Sequence, residues 1–140
     1  MGSRRKGRVI AFQSLYRHDL SGAGLSELLE FSWLDEERTT HPDTLAFARL
    51  LIQGALENLP EIDELIKGQL ENWDFKRLNR VDLAILRLGV YCLLHQSDIP
   101  ATVTIDEAID ISKAFGTEDS YRFVNGVLDG VRKRLAATRI

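Results

Sequence analysis

The sequence predicts an all-α fold of seven short helices, one of them buried at the centre. Three observations predict it. Apolar residues recur at spacings of three and four along most of the chain, the repeat of one helical face. One segment, from about Arg80 to His95, is apolar nearly all round, so other elements must cover most of its sides. The β-branched run from Thr102 to Ile105 has no second strand to pair with and reads as an extended linker.

Each element follows from local chemistry. The first helix runs from about Arg4 to Leu20, with Val9, Phe12, Tyr16 and Leu20 on one face, and Gly22 and Gly24 stop it. A second covers about Leu25 to Leu34, followed by an acidic, polar loop from Asp35 to Pro42. Asp43 is placed to cap a third helix that ends near Asn58, with Leu45, Ala48, Leu51, Ile52 and Ala55 facing inward. Pro60 opens the fourth, which carries Glu61, Asp63 and Glu64 in its first turn and runs to about Asn72, with Ile62, Leu65, Ile66, Leu70 and Trp73 as its apolar stripe. Asn79 and Asp82 form a capping-box pattern ahead of the central fifth helix. Thr104 with Glu107 is a second such pattern, opening a sixth helix that runs to Phe115, with Gly116 as its left-handed C-cap. Thr117 is placed to cap the seventh, whose core stripe is Val124, Val127, Leu128, Val131 and Leu135.

At 140 residues and 15.9 kDa the chain reads as one domain over residues 1–140. That length buries roughly two thirds of the unfolded surface, enough to fold without a disulfide or a metal. A single cysteine, Cys92, excludes a disulfide framework and a cysteine-built zinc site. No stretch is apolar for the roughly 18 residues that a membrane helix needs. The basic start leads into no apolar secretory segment, so the expected compartment is the cytoplasm.

Catalysis finds little support. His18, His41 and His95 have no metal-ligand spacing, and Cys92 falls inside the buried helix. Asp106, Glu107 and Asp110 cluster at a helix start, where acids are favoured in any case. Phosphate-binding and nucleophile motifs are missing. The expectation is no enzyme, no metal and no cofactor.

Charge is more informative. The net value is −3, yet residues 1–8 hold Arg4, Arg5, Lys6 and Arg8 with no acid, and residues 131–140 hold Arg132, Lys133, Arg134 and Arg139 with none. All 21 acids lie between these ends. A basic segment anchored on a helix can follow phosphates, and it can equally be a solvated tail. Phe123 sits roughly 80–100° from the centre of its helix's core stripe. It either stacks on an unpaired base or makes a second core contact. Gly126 in mid-helix costs about 1 kcal/mol against Ala, which suggests close approach by another helix or a ligand.

Three runs then resemble a known family. Arg4-Arg5-Lys6 leading to Ala11-Phe12-Gln13-Ser14-Leu15-Tyr16 is the first, and Asp82-Leu83-Ala84-Ile85-Leu86-Arg87-Leu88 with Tyr91 is the second. The most specific joins Asp98-Ile99-Pro100, Val103-Thr104-Ile105-Asp106-Glu107-Ala108, Phe115-Gly116-Thr117-Glu118-Asp119-Ser120 and Phe123-Val124-Asn125-Gly126-Val127-Leu128-Asp129. These resemble the NusB family of bacterial transcription antitermination factors over nearly the whole chain. The resemblance implies two small helical bundles sharing one core. It implies binding of boxA, a short single-stranded element of ribosomal RNA operon leaders, together with NusE, which is also a small-subunit ribosomal protein. Through that complex it implies RNA polymerase and further Nus factors as partners, and it leaves a homodimer open. Carried onto this chain, the RNA contacts fall on Arg4, Arg5, Lys6 and Arg8, and on Asp119, Arg122 and Phe123. The NusE surface falls on Asp82 with Arg80 and Lys76.

Two positions depart from the family pattern. Gly7 interrupts the basic opening and is expected to loosen the helix start, and Cys92 stands where Glu is common. Two other readings compete. One is the RNA-recognition module of a ribosomal RNA methyltransferase, which needs a cofactor-binding α/β domain after the helices, where this chain ends at Ile140. The other is a helical interaction module that binds no RNA.

Overall fold

In the computed structural model, which describes residues 3–35, 37–71 and 74–138, seven α-helices follow one another with no strand among the described residues. They are α1 (Ser3–Ser21), α2 (Leu25–Glu30), α3 (Pro42–Glu57), α4 (Leu59–Lys67), α5 (Arg80–His95), α6 (Ala101–Phe115) and α7 (Ser120–Thr138). Short 3₁₀ turns at Glu37–Thr39 and Phe75–Arg77 join α2 to α3 and α4 to α5.

The central position of α5 follows from its sequence. It packs against α1, α3 and α4 of one bundle and against α6 and α7 of the other. The two small bundles therefore share one core. Every residue from Asp82 to Leu93 is buried, which requires even its two charged members, Asp82 and Arg87, to lie inside. Asn79 caps it as expected, its Oδ1 accepting from the backbone N–H of Val81 (2.9 Å) and of Asp82 (3.2 Å). Such a cap contributes about 1 kcal/mol. Asp82 does not complete the box, because its carboxylate turns away into a cleft described below.

Arg87 explains how a cation sits in this helix. Its Nε and Nη2 donate to the two carboxylate oxygens of Asp63 on α4, at 2.9 and 3.0 Å. Its Nη1 lies 3.7 Å from Asp19 of α1. One guanidinium thus ties three helices together. Cys92, buried on the same helix, is held inert by that burial, which pushes its thiol up to about 12.

Several expectations are corrected. Residues 102–105 are helical: α6 begins at Ala101 with Pro100 as N-cap, whose carbonyl accepts from the N–H of Val103 (2.9 Å). A proline loses nothing there, because a helix start has no acceptor for its N–H. Thr104 is buried inside the helix and does not cap it. Gly116 is extended, not left-handed (φ −92°, ψ −168°). A side chain at Gly116 would collide with Ser120 and the Ser112 carbonyl, which is why glycine stands there. Helix α7 starts at Ser120, three residues after the expected Thr117 cap, and Ser120 Oγ reaches back to accept from Thr117 N–H at 2.9 Å. His41 caps α3 in place of Asp43, its Nδ1 accepting from Asp43 N–H. Helix α2 stops at Glu30 because Phe31 takes a left-handed backbone (φ 55°) and drops its ring into the core. Helix α4 ends at Lys67, while Asn72, Trp73 and Arg139 lie outside the described residues.

Glycines also sort differently. Gly7 does not loosen α1, which is continuous from Ser3 to Ser21. Its bare Cα admits the Phe47 ring of α3, which would lie 2.7 Å from a Cβ placed there. Gly126, by contrast, has nothing within 4 Å of a would-be Cβ. No helix approaches it closely, so Gly126→Ala should gain about 1 kcal/mol through helix propensity alone. A rise of a few degrees in Tm on thermal denaturation checks this. An unchanged or lower Tm would mean that the glycine serves the fold.

Candidate nucleic-acid interface

The first two turns of α1 carry four cations and no acid, against the helix dipole, which favours anions at this end. Fold stability alone does not ask for this arrangement. The four side chains leave the helix in three directions. Arg4 and Arg8, one turn apart, both lie over the Phe47 ring, at 4.3 and 5.6 Å from its centroid. Arg5 crosses to α6, where its Nε donates to Glu107 Oε2 (3.3 Å) and its Nη2 to Asp110 Oδ2 (3.0 Å). The carboxylates raise the Arg5 pKa, the Glu107 hydrogen bond most, then its charge, then that of Asp110. Lys6 turns to a third face, where it borders an open groove.

That groove, about 610 Å³, runs along α1 past Lys6, Gln13, Tyr16 and Arg17, with Trp33 opposite and Phe115 at one side. Arg17 stands over the Trp33 ring at 5.1 Å. Phe115, 44 per cent exposed, is held by a tilted contact with Phe12 at 5.3 Å. Two cations, aromatic faces and an amide together suit an unpaired base and its phosphate, and one acid, Asp35, stands among the lining residues. The sequence put Tyr16 on the apolar face of the first helix and marked none of Gln13, Arg17 and Trp33 as site residues. The signal was available in part: Lys6, Gln13 and Arg17 are spaced by seven and four, one side of a helix.

Asp119 and Phe123 stand elsewhere. With Arg77, Asn79, Asp82 and Ser120 they line a second cleft of about 360 Å³ between the start of α5 and the start of α7. The residues assigned to RNA by resemblance therefore divide. Arg4, Arg5, Lys6 and Arg8 belong to α1, while Phe123 and Asp119 share a cleft with Asp82, the position assigned to NusE. Phe123 is half-buried and packs against the core edge. Arg122 is exposed and turned toward its neighbours, Nε donating to the Tyr121 hydroxyl at 2.9 Å and Nη1 lying 3.8 Å from Asp119.

Asp82 is the unusual group of this cleft. It is seven per cent exposed, and no donor among the described residues reaches its Oδ1. Desolvation raises its pKa, while the Ser120 hydroxyl works the other way. Arg80 does not neutralise it. That guanidinium lies 3.5 Å from Asp19 Oδ2 and donates to the Lys76 carbonyl at 2.6 Å. Lys76 is exposed on the 3₁₀ turn that leads into α5. Among the described residues no group of His, Cys, Asp or Glu could hold a metal ion, and no helix is long and apolar enough to cross a membrane.

Fold and surface define an all-α protein wrapped on one buried helix, with a basic opening helix and two surface clefts, one along that helix and one between the starts of α5 and α7. The chain belongs to the NusB family, whose model matches residues 5–133. The transcription antitermination protein NusB of Treponema denticola is 49% identical over 131 residues, covering 94% of this chain and 96% of that protein. A solved structure of T. maritima NusB superposes with a TM-score of 0.83 at 45% identity, over 93% of this chain and 90% of that one. A crystal structure of the antitermination factors NusB and NusE in complex with double-stranded RNA matches with a TM-score of 0.84 at 32% identity, over 96% and 98% of the two chains. Transcription antitermination is the function of the family to which the chain belongs.

Proposed function

We propose that this chain is a cytoplasmic antitermination factor that binds boxA-like single-stranded RNA together with NusE, and so helps RNA polymerase and other Nus factors read through terminators. Residues 1–140 act as one RNA-binding unit, and no catalytic step belongs to it. The observation that carries the reading is the basic start of α1 set beside an aromatic groove. Arg4 and Lys6, with Arg5 and Arg8 once they turn outward, meet phosphates and supply affinity. Gln13, Trp33 and Phe115 meet bases in the groove and supply preference.

NusE takes the second cleft. Asp82 offers an acceptor that the free protein leaves unused, and a buried acceptor of this kind calls for a donor from outside. Phe123, Asp119 and Arg122 then lie at the seam between protein and RNA, and Lys76 and Arg80 are next in sequence to Arg77 and Asn79 of the cleft. The relative solved with NusE and RNA supports a joint surface of this sort.

The test is binding of boxA-like RNA, scrambled RNA and duplex RNA, with and without NusE, across a salt series. Preference for boxA-like RNA that NusE strengthens is expected. Replacing Arg4 and Lys6 by Ala should reduce the salt slope by about 0.7 for each phosphate that is no longer neutralised. Equal weak binding to all three RNAs, with or without NusE, would leave only a helical interaction module. The oligomeric state of the free chain, measured alongside, shows whether a second copy competes for the same face.

A further inference from the structure

We propose that Glu107 and Asp110 of α6 act as an internal phosphate mimic that occupies Arg5 and thereby sets the selectivity of the basic helix. This rests on the RNA reading above and assigns to α6 a role beyond it.

The geometry is that of an occupied anion site. Arg5 makes three hydrogen bonds to the two carboxylates: Nε to Glu107 Oε2 at 3.3 Å, Nη2 to Glu107 Oε1 at 3.4 Å, and Nη2 to Asp110 Oδ2 at 3.0 Å. Glu107 Oε2 also lies 4.0 Å from Arg8 Nη1, so one carboxylate addresses two of the four cations. Helical spacing puts Glu107 and Asp110 on the same face, three residues apart, where like charges repel unless a cation stands between them. Arg5 is that cation. It joins residues more than a hundred positions apart, so the contact belongs to the tertiary fold.

The consequence for binding follows from exchange. An incoming phosphate gains Arg5 only by taking it from two carboxylates, which are then left facing each other and the phosphate. For an RNA that offers phosphates alone, the exchange of one anion for another gains little. An RNA that also places bases in the groove beside Lys6 recovers the loss through stacking. Carboxylates on α6 therefore suppress generic binding more than specific binding, as like-charge placement does at selective interfaces. Arg5 and Asp110 are both about half exposed, so the clamp is weak enough to open.

The test uses the full chain with the double substitution Glu107→Gln and Asp110→Asn, alone and combined with Arg5→Ala. Circular dichroism and Tm confirm that each variant folds. Affinity for scrambled single-stranded RNA is expected to rise about three- to tenfold, with a salt slope steeper by about 0.7 for each arginine released. Affinity for boxA-like RNA should rise less, so the ratio between the two RNAs falls. In the Arg5→Ala background the gain should shrink, because the clamped cation is gone. Unchanged or weaker binding of scrambled RNA would overturn the proposal, as would an equal gain without Arg5, which reports only general charge. Failure of the RNA reading looks different: the wild-type chain then shows no preference for boxA-like RNA, while the effect of the clamp on scrambled RNA is still read.

Discussion

Arg87→Ala is expected to lose about 3 kcal/mol of stability, a drop in Tm of about 10 °C for a chain of this size. The Arg87 side chain is 10% exposed, and its partners Asp63 and Asp19 are 19% and 17% exposed. Truncation removes a bidentate pair between α5 and α4 and a weaker contact to α1, and it leaves Asp63 partly shielded from water without its cation and Asp19 with Arg80 alone. The loss is therefore larger than the worth of the pair itself, since the stranded Asp63 carboxylate adds to it. Arg87→Lys keeps the charge but cannot reproduce the fork on Asp63, so it should fall about halfway. A double-mutant cycle with Asp63→Asn separates pair from packing, because coupling appears only if the two residues act together. If Arg87→Ala unfolds within about 0.5 kcal/mol of the wild type, the contact is no better than a screened surface pair.

Arg87 also shows where the sequence was legible and where it was not. The central helix declared itself, because an apolar run with one Asn cap is a local signal. The buried pairing of Arg87 carried no local signal, because its partners Asp63 and Asp19 lie far back in the chain on other helices. The start of α6 was misread for a related reason. Thr102, Val103, Thr104 and Ile105 are all β-branched and carry weak helix propensity, and it is packing of Thr104 and Ile105 into the core that makes them helical. Gly7 and Gly126 exchange roles for the same cause: the space around a glycine is tertiary. At the candidate interface the cations of α1 were legible as composition. Their division among Phe47, the α6 acids and the groove was not, since it depends on which helix faces each of them. The groove itself joins α1, Trp33 and Phe115, three places that no local pattern links.

Asp82→Asn is expected to move stability and partner binding in opposite directions. In the folded chain the Asp82 carboxylate is desolvated and one oxygen has no donor among the described residues, so its pKa is raised above the unfolded value. An acid whose pKa rises on folding makes the native state bind more protons than the unfolded chain. Stability then falls as pH rises from about 3.9, the ordinary value, through the raised folded value. At neutral pH the wild type carries this cost in full and the amide does not. The variant should therefore be more stable by about 1 kcal/mol at about pH 7, and the two melting curves should converge below about pH 4. Affinity for NusE should weaken about 10- to 100-fold, the range expected when a hydrogen bond to a charged acceptor is removed. Thermal melts near neutral pH and at about pH 3.5, with titration of NusE at neutral pH, read both effects in one variant. A stability gain with unchanged NusE affinity would place the partner elsewhere and leave Asp82 a cost without a purpose in this cleft. Weaker NusE binding together with the gain marks a group kept for its partner at the expense of the free fold, which is how a buried acceptor without a donor persists.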